Sequence, residues 1–304
     1  MNTVSYIPEF KQNLFVENDV TKFVSTIIET NRFFPILLTG PTGVGKTYTI
    51  SQICAKLERE CIRVNITRRS NEDNLMGSFR LVEGSTSFEK GPIIIAMERG
   101  AVLLLDEVDL ADPEEIMCLQ SVMEGNGFYL KSINEQVNPK PGFTIIATAN
   151  TKGLGDDSGT YVGTNILNEA FLDRFKMCRN VSYPTKQVEM TILANHAKEI
   201  LLEIPTDYID KLVTWSNHIR SVASESNEFE HTISTRRLIH ILDVFSVFKN
   251  EYAAIIDGLS RFDKHHSESF IELYNTYFPS ENGATSKVSE DSELIKKFKE
   301  QTPW

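Results

Sequence analysis

The segment Gly40-Pro41-Thr42-Gly43-Val44-Gly45-Lys46-Thr47 constrains this chain more than any other. It fits the pattern Gly-x-x-x-x-Gly-Lys-Ser/Thr, and it lies between an apolar run (residues 36–39, ILLT) and a helical pattern (residues 47–60). Strand, glycine-rich turn, helix is the setting in which such a loop wraps phosphate. The glycines let backbone N–H groups turn inward, and the helix N-terminus adds its positive end. Lys46 is then placed to neutralise β- and γ-phosphates, and Thr47 to offer its hydroxyl oxygen to Mg²⁺. A chance match in a chain of this length is on the order of one in a hundred.

Other short apolar runs follow at residues 62–66 (IRVNI), 102–105 (VLLL) and 144–148 (TIIAT), with a fifth around 178–183. They do not alternate with polar residues, as suits strands of a parallel sheet covered on both faces. Helical patterns lie between them, for example 47–60 and 113–124. The expectation is a doubly wound α/β sheet. Beyond Pro184 the patterns at 186–203, 208–224 and 235–248 are helical, with no strand among them. The chain therefore reads as an α/β nucleotide-binding domain (1–184), a helical lid domain (185–278) and a polar, flexible tail (279–304).

Two carboxylates end the third apolar run, Asp106 and Glu107. At the C-terminal end of a buried strand they face the crevice where such sheets bind ligands. Asp106 is expected in the Mg²⁺ shell, and Glu107 to orient and deprotonate an attacking water. Asp112, before Pro113, reads as a helix N-cap. Asn150 ends the run TIIATAN, where an amide can bond both a γ-phosphate and a lytic water. Arg174, within Phe171-Leu172-Asp173-Arg174-Phe175, can stabilise transition-state charge at a neighbour's phosphate. Arg236 opens a helix behind Ser234 and can reach a phosphate from the lid; Arg237 beside it leaves the choice between the two open.

Composition narrows the partners. Lys plus Arg is 31 against 42 Asp plus Glu, a net charge of −11, which disfavours non-specific grip on nucleic acid. Cys54, Cys61, Cys118 and Cys178 form no Cys-x-x-Cys pair, so free thiols in a reducing cytoplasm are expected. No apolar run approaches the length of a membrane span, and the first residues do not read as a secretory signal.

Taken together, the phosphate loop, the acidic strand end, Asn150, Arg174 and the lid arginine resemble the AAA+ ATPases over about residues 5–250. The segments 74–77 and 88–92 look like the helix-2 insert of the MoxR-type branch, which lines a ring's central face, and 128–143 looks like that branch's hairpin before the first sensor. The stretch 147–164, leading to Asp173-Arg174, is similar to the ATPase subunit of the aerobic cobaltochelatase (CobS family); residues 61–65 and 7–9 fit it as well. The phosphate loop and residues 106–115 are closer to general MoxR proteins. The resemblance implies a P-loop NTPase fold with a helical lid. Gly40 to Thr47 and Asp106 would hold ATP and Mg²⁺, the metal on Thr47 and Asp106, while Glu107, Asn150, Arg174 and Arg236 would serve catalysis. It further implies a homo-oligomeric, hexameric ring and a partner with a von Willebrand A-type domain. No residue resembles a cobalt or tetrapyrrole ligand. The expected activity is a ring ATPase that remodels a partner protein; the alternatives are a nucleic-acid motor or restriction-type component, and a nucleotide switch without hydrolysis. The motifs leave ATP and GTP open.

Overall fold

The computed structural model describes residues 5–11, 15–82, 84–153, 155, 163–226 and 231–279; the tail expected from 279 lies almost wholly outside them. Five strands make one parallel sheet: β1 (Ile36–Thr39), β2 (Cys61–Asn65), and three more from later in the chain. With the short helices and hairpins counted in chain order, the elements run α1 (Asp19–Glu29), β1, α2 (Lys46–Lys56), β2, α3 (Glu72–Met76), β3 (Gly77–Val82), β4 (Ser85–Lys90), α4 (Pro92–Arg99), β5 (Val102–Asp106), α5 (Gln120–Met123), β6 (Phe128–Leu130), β7 (Glu135–Val137), β8 (Thr144–Ala149), α6 (Glu169–Leu172) and β9 (Met177–Asn180). The sheet order is β2-β5-β8-β1-β9, and every neighbour is parallel.

The central strands are buried at every residue, which explains their uninterrupted apolar character. Successive side chains point to opposite faces. Ile36, Leu38, Leu104 and Ile146 pack with Val24 and Ile28 of α1 and Ile50 and Ile53 of α2. Leu37, Leu103, Leu105 and Ile145 pack on the other face with Ile93 and Met97 of α4. A doubly wound sheet results, as the patterning implies. Because β1, β5 and β8 are adjacent and parallel, the loops at their C-terminal ends meet on one edge.

Two insertions leave the sheet. β3 and β4 form an antiparallel hairpin between α3 and α4, and β6 and β7 form another before β8. Phe79 and Leu81 are exposed on the first hairpin.

Five further helices follow β9: α7 (Lys186–Glu199), α8 (Thr206–Ser226), α9 (Thr235–Phe248), α10 (Glu251–Leu259) and α11 (Lys264–Tyr277). They share a core of their own around Trp215, Leu212, Leu238 and Phe270, and the Trp215 indole donates to the Phe270 carbonyl at 2.9 Å. Arg220 of α8 meets Glu189 of α7 in a fork–fork pair with both contacts at 2.8 Å. Thr235 of α9 donates to the same carboxylate at 2.6 Å, so one buried anion joins three helices.

One expected helix differs. Residues 113–124 do not form a continuous α-helix: a 3₁₀ segment (Glu115–Leu119) precedes the single turn of α5. Ile116, Leu119 and Val122 are buried three residues apart, the repeat of a 3₁₀ helix rather than of an α-helix. Asp112 is not the N-cap expected of it: the 3₁₀ segment is preceded by Glu114 with no side-chain cap, and the Asp112 carboxylate instead accepts from the Glu114 N–H at 2.9 Å in the turn before it. Among the described residues all four cysteines are free, and no helix is long and apolar enough to cross a membrane.

Candidate functional site

At the end of β1 the loop backbone takes positive φ at Gly40, Gly43 and Gly45 (143°, 80° and 90°). A side chain at Gly43 is excluded twice, by φ and by Ser234, whose Cβ would stand 2.7 Å from the added carbon. Ser234, at the start of α9, thus packs directly against the loop. Lys46 is buried. Its ammonium donates to the carbonyls of Gly40 (2.6 Å) and Pro41 (3.1 Å) and to the Asn150 side-chain oxygen (3.1 Å). Burial pushes its pKa down to about 8, against the pull of Asp109, Asp106 and Glu107.

Thr47 and Asp106 are hydrogen-bonded at 2.6 Å. The same Asp106 oxygen accepts from Thr148 of β8 at 2.5 Å, and the other accepts from Arg63 of β2 at 2.5 and 3.1 Å. Burial disfavours the Asp106 carboxylate, but hydrogen bonds from Thr148, Thr47 and Arg63 outweigh it and hold the group below the usual carboxylate range. A hydroxyl and an ionised carboxylate side by side form a hard-oxygen donor set, the kind Mg²⁺ takes. Inward glycines and a buried ammonium are what a polyphosphate needs. The residues therefore fit both groups.

Glu107 follows with φ 60°, in the left-handed region that a non-glycine residue rarely adopts. Its N–H donates to the Thr148 hydroxyl at 3.1 Å. Backbone strain of this kind is common at reacting centres. Asn150 presents its oxygen to Lys46 and, at 3.3 Å, to the Thr42 hydroxyl.

Three participants carry no motif of their own. Arg63 and Thr148 grip Asp106, and Asp109, fully buried, accepts the backbone N–H groups of Asn150 and Thr151, both at 2.9 Å. Asp109 therefore anchors the backbone that carries Asn150. A charged residue inside the apolar run IRVNI was the available signal for Arg63. Thr148 lies in a strand where threonine is ordinary.

The arginines stand apart from this cluster. Arg174 donates to Glu124 at 3.2 Å and to the Ala170 carbonyl, and its buried Nε has no partner among the described residues. Arg236 lies against the loop, its Cβ 3.5 Å from where a Gly43 side chain would begin. Gly40 to Lys46, Asp106, Asn150 and Arg236 are thus brought to one place; Arg174 is bonded elsewhere.

Comparison with known proteins agrees with this geometry. Residues 35–175 match the AAA domain (dynein-related subfamily). The chain is 28% identical to the aerobic cobaltochelatase subunit CobS of Sinorhizobium sp. over 284 residues, covering 88% of this chain and 85% of that one. It is 31% identical to midasin of Giardia intestinalis over 216 residues, 70% of this chain but only 4% of that protein. Among solved structures, a mutant of Thermotoga maritima RuvB superimposes with a TM-score of 0.52 at 16% identity, over 85% of this chain and 71% of that one; this likeness concerns the fold.

Proposed function

We propose that this chain, an AAA+ ATPase related to the cobaltochelatase subunit CobS, works as a homo-oligomeric ring, hexameric by that likeness, which couples Mg²⁺-dependent ATP hydrolysis to remodelling of a partner protein. The observation that carries the reading is the meeting of Lys46, Thr47, Asp106 and Asn150 at three adjacent strand ends.

Gly40 to Gly45 would cradle the phosphates with backbone N–H groups, and Lys46 would exchange its carbonyl partners for phosphate oxygens. Thr47 and Asp106 would hold Mg²⁺, which supplies charge neutralisation at the phosphates when bound. Arg63 must leave Asp106 for that to happen. Asn150, steadied by Asp109, would orient a water beside the γ-phosphate. Glu107 would take the water's proton as the new P–O bond forms. The bond to the β-phosphate breaks, and its electron pair stays with ADP. Arg236 would bind developing charge from the lid.

Arg174 engages Glu124 and Ala170 rather than its own loop. That arrangement supports a role at the next subunit's phosphate, hence a ring. The exposed Phe79 and Leu81 on the β3–β4 hairpin offer apolar contact to a protein, and the likeness to CobS suggests a partner with a von Willebrand A-type domain. Net charge −11 argues for protein over nucleic acid.

The test is ATP turnover per subunit against protein concentration, for the native chain and Arg174→Ala. A specific rate that climbs with concentration in the native chain and collapses in the variant supports shared sites. A flat rate that ignores Arg174 removes the ring.

A further inference from the structure

Between the phosphate loop and the lid lies a cavity of about 740 Å³. Pro41 and Thr42 form one wall, and Arg220, Arg236, Arg237 and Arg261 converge from the lid. His231 and His240 join them among neutral polar groups such as Asn180, Ser182 and Thr232; among the described residues its walls carry no carboxylate. In a chain of net charge −11, a cavity of four arginines without an acid is not the average surface.

The four arginines are not equivalent. Arg220 is spent on Glu189 and on the Ile233 carbonyl. Among the described residues, the guanidinium groups of Arg236, Arg237 and Arg261 make no hydrogen bond or ion pair with any acid. Arg261 lies over the Phe262 ring, 4.5 Å from its centre. Arg236 leans on Gly43. Arg237, the next residue on α9, is turned about 100° away from it, and its pKa is depressed by burial and by the charge of Arg261. His240 shares a helix face with Arg237. It is held toward its neutral form by burial and then by Arg237, with Arg236 and Arg261 adding to this and Asp243 opposing it. Like charges gathered without a counter-ion repel one another, and an anion relieves them.

The cavity's loop wall says which anion. Lys46, the residue that reaches the β- and γ-phosphates, places its ammonium at Gly40 and Pro41, so this end of the loop is the γ-phosphate end. The cavity opens beside it.

We propose that Arg237, Arg261 and His240 form a second anion site, for inorganic phosphate, which receives the cleaved γ-phosphate while ADP stays on the loop. This deepens, and rests on, the hydrolytic reading. The shared chemistry is a phosphate dianion, whether it arrives from cleavage or from solution, so it can be probed without turnover.

The experiment titrates inorganic phosphate calorimetrically into the full chain saturated with ADP and Mg²⁺. The native chain is expected to bind phosphate saturably. Arg237→Gln with Arg261→Gln is expected to weaken it at least about tenfold, two charge-assisted hydrogen-bonding groups being lost, with ADP affinity changed less than about twofold. The charge-keeping pair Arg237→Lys with Arg261→Lys should retain most of the binding, and circular dichroism checks the fold of each. In steady state, phosphate should inhibit native turnover, and the glutamine variant should escape it; that arm ties the site to the product. No saturable binding to the native chain, or binding indifferent to the glutamines, overturns the proposal. Loss of ADP and phosphate affinity together overturns it too, because the arginines then belong to the nucleotide. Absence of native ATP turnover would sink the hydrolytic reading alone, since the titration needs no hydrolysis.

Discussion

The two walls of the nucleotide cleft are built on opposite principles. On the sheet side, Lys46, Thr47, Asp106, Thr148, Asn150 and Asp109 are hydrogen-bonded to one another. On the lid side, Arg236, Arg237 and Arg261 have no acidic partner among the described residues. The sheet wall mixes cations, carboxylate and amides, so with nothing bound it satisfies most of its polar groups internally, the buried Asp109 Oδ1 being an exception. Among the described residues the lid wall's charged side chains at the cavity are all cationic, so it cannot do the same. The first is organised before its ligand comes, which lowers the cost of binding. The second is held in place only by the helices beneath it, and its electrostatics are completed by an anion. The lid arginines can therefore respond to whether phosphate is present, while the sheet residues scarcely need to move.

Arg174 stands outside both walls and is paired with Glu124 in the resting chain, so its loss reads the transition state rather than either wall. Arg174→Ala gives the largest expected effect, about 10³–10⁵ lower kcat from loss of charge stabilisation in the transition state. Steady-state turnover beside a nucleotide titration reads it, and a comparable fall in ATP affinity would contradict a role reserved for the transition state.

Arg220 sharpens the same contrast from within the lid, because it lines the cavity but is already paired. Arg220→Met strands the buried Glu189 carboxylate and is expected to cost about 3–5 kcal/mol. Urea unfolding measures it; a loss under about 1 kcal/mol would mean that the pair does not hold the lid together.

On the sheet side, Asp109→Ala leaves the N–H groups of Asn150 and Thr151 without their acceptor. A stability loss of about 1–3 kcal/mol is expected, with kcat falling because Asn150 is no longer aimed. Unchanged kcat would show that Asn150 is positioned by other means.

Arg63→Gln is the smallest case. The Arg63 side chain is 57% exposed and that of Asp106 5%, so the pair contributes about 0–1 kcal/mol. The variant should bind Mn²⁺ slightly more tightly in the absence of nucleotide, read by the free-ion electron paramagnetic resonance signal. Weaker Mn²⁺ binding would mean that Arg63 orders Asp106 rather than competing for it.

The parallel sheet was legible because its strands are buried on both faces, which leaves uninterrupted apolar runs. Helix α1 was not anticipated, although Asn18 and Thr21 form a capping box at its start. Its apolar residues fall on one face only and precede the first strong motif. Helices α10 and α11 were likewise not anticipated one by one. Their packing partners are other lid helices rather than the sheet, so no strand punctuates them. The 113–124 segment misled because apolar spacings of three and four overlap over so short a stretch.

By itself the sequence determined the parts whose chemistry is contiguous: the glycine loop, the acids at a strand's end, and an amide at the end of another. Adjacent residues share one backbone path, so their relative placement follows from local geometry. Tertiary structure alone decided that Arg63 and Thr148 meet on Asp106, that buried Asp109 anchors the backbone of Asn150, and that Arg236 rather than Arg237 lies over Gly43. It also gathered Arg237 of α9 and Arg261 of the turn between α10 and α11 around one cavity. Those juxtapositions depend on sheet order and on how the lid seats over the loop, and both are set by long-range packing that no local pattern encodes.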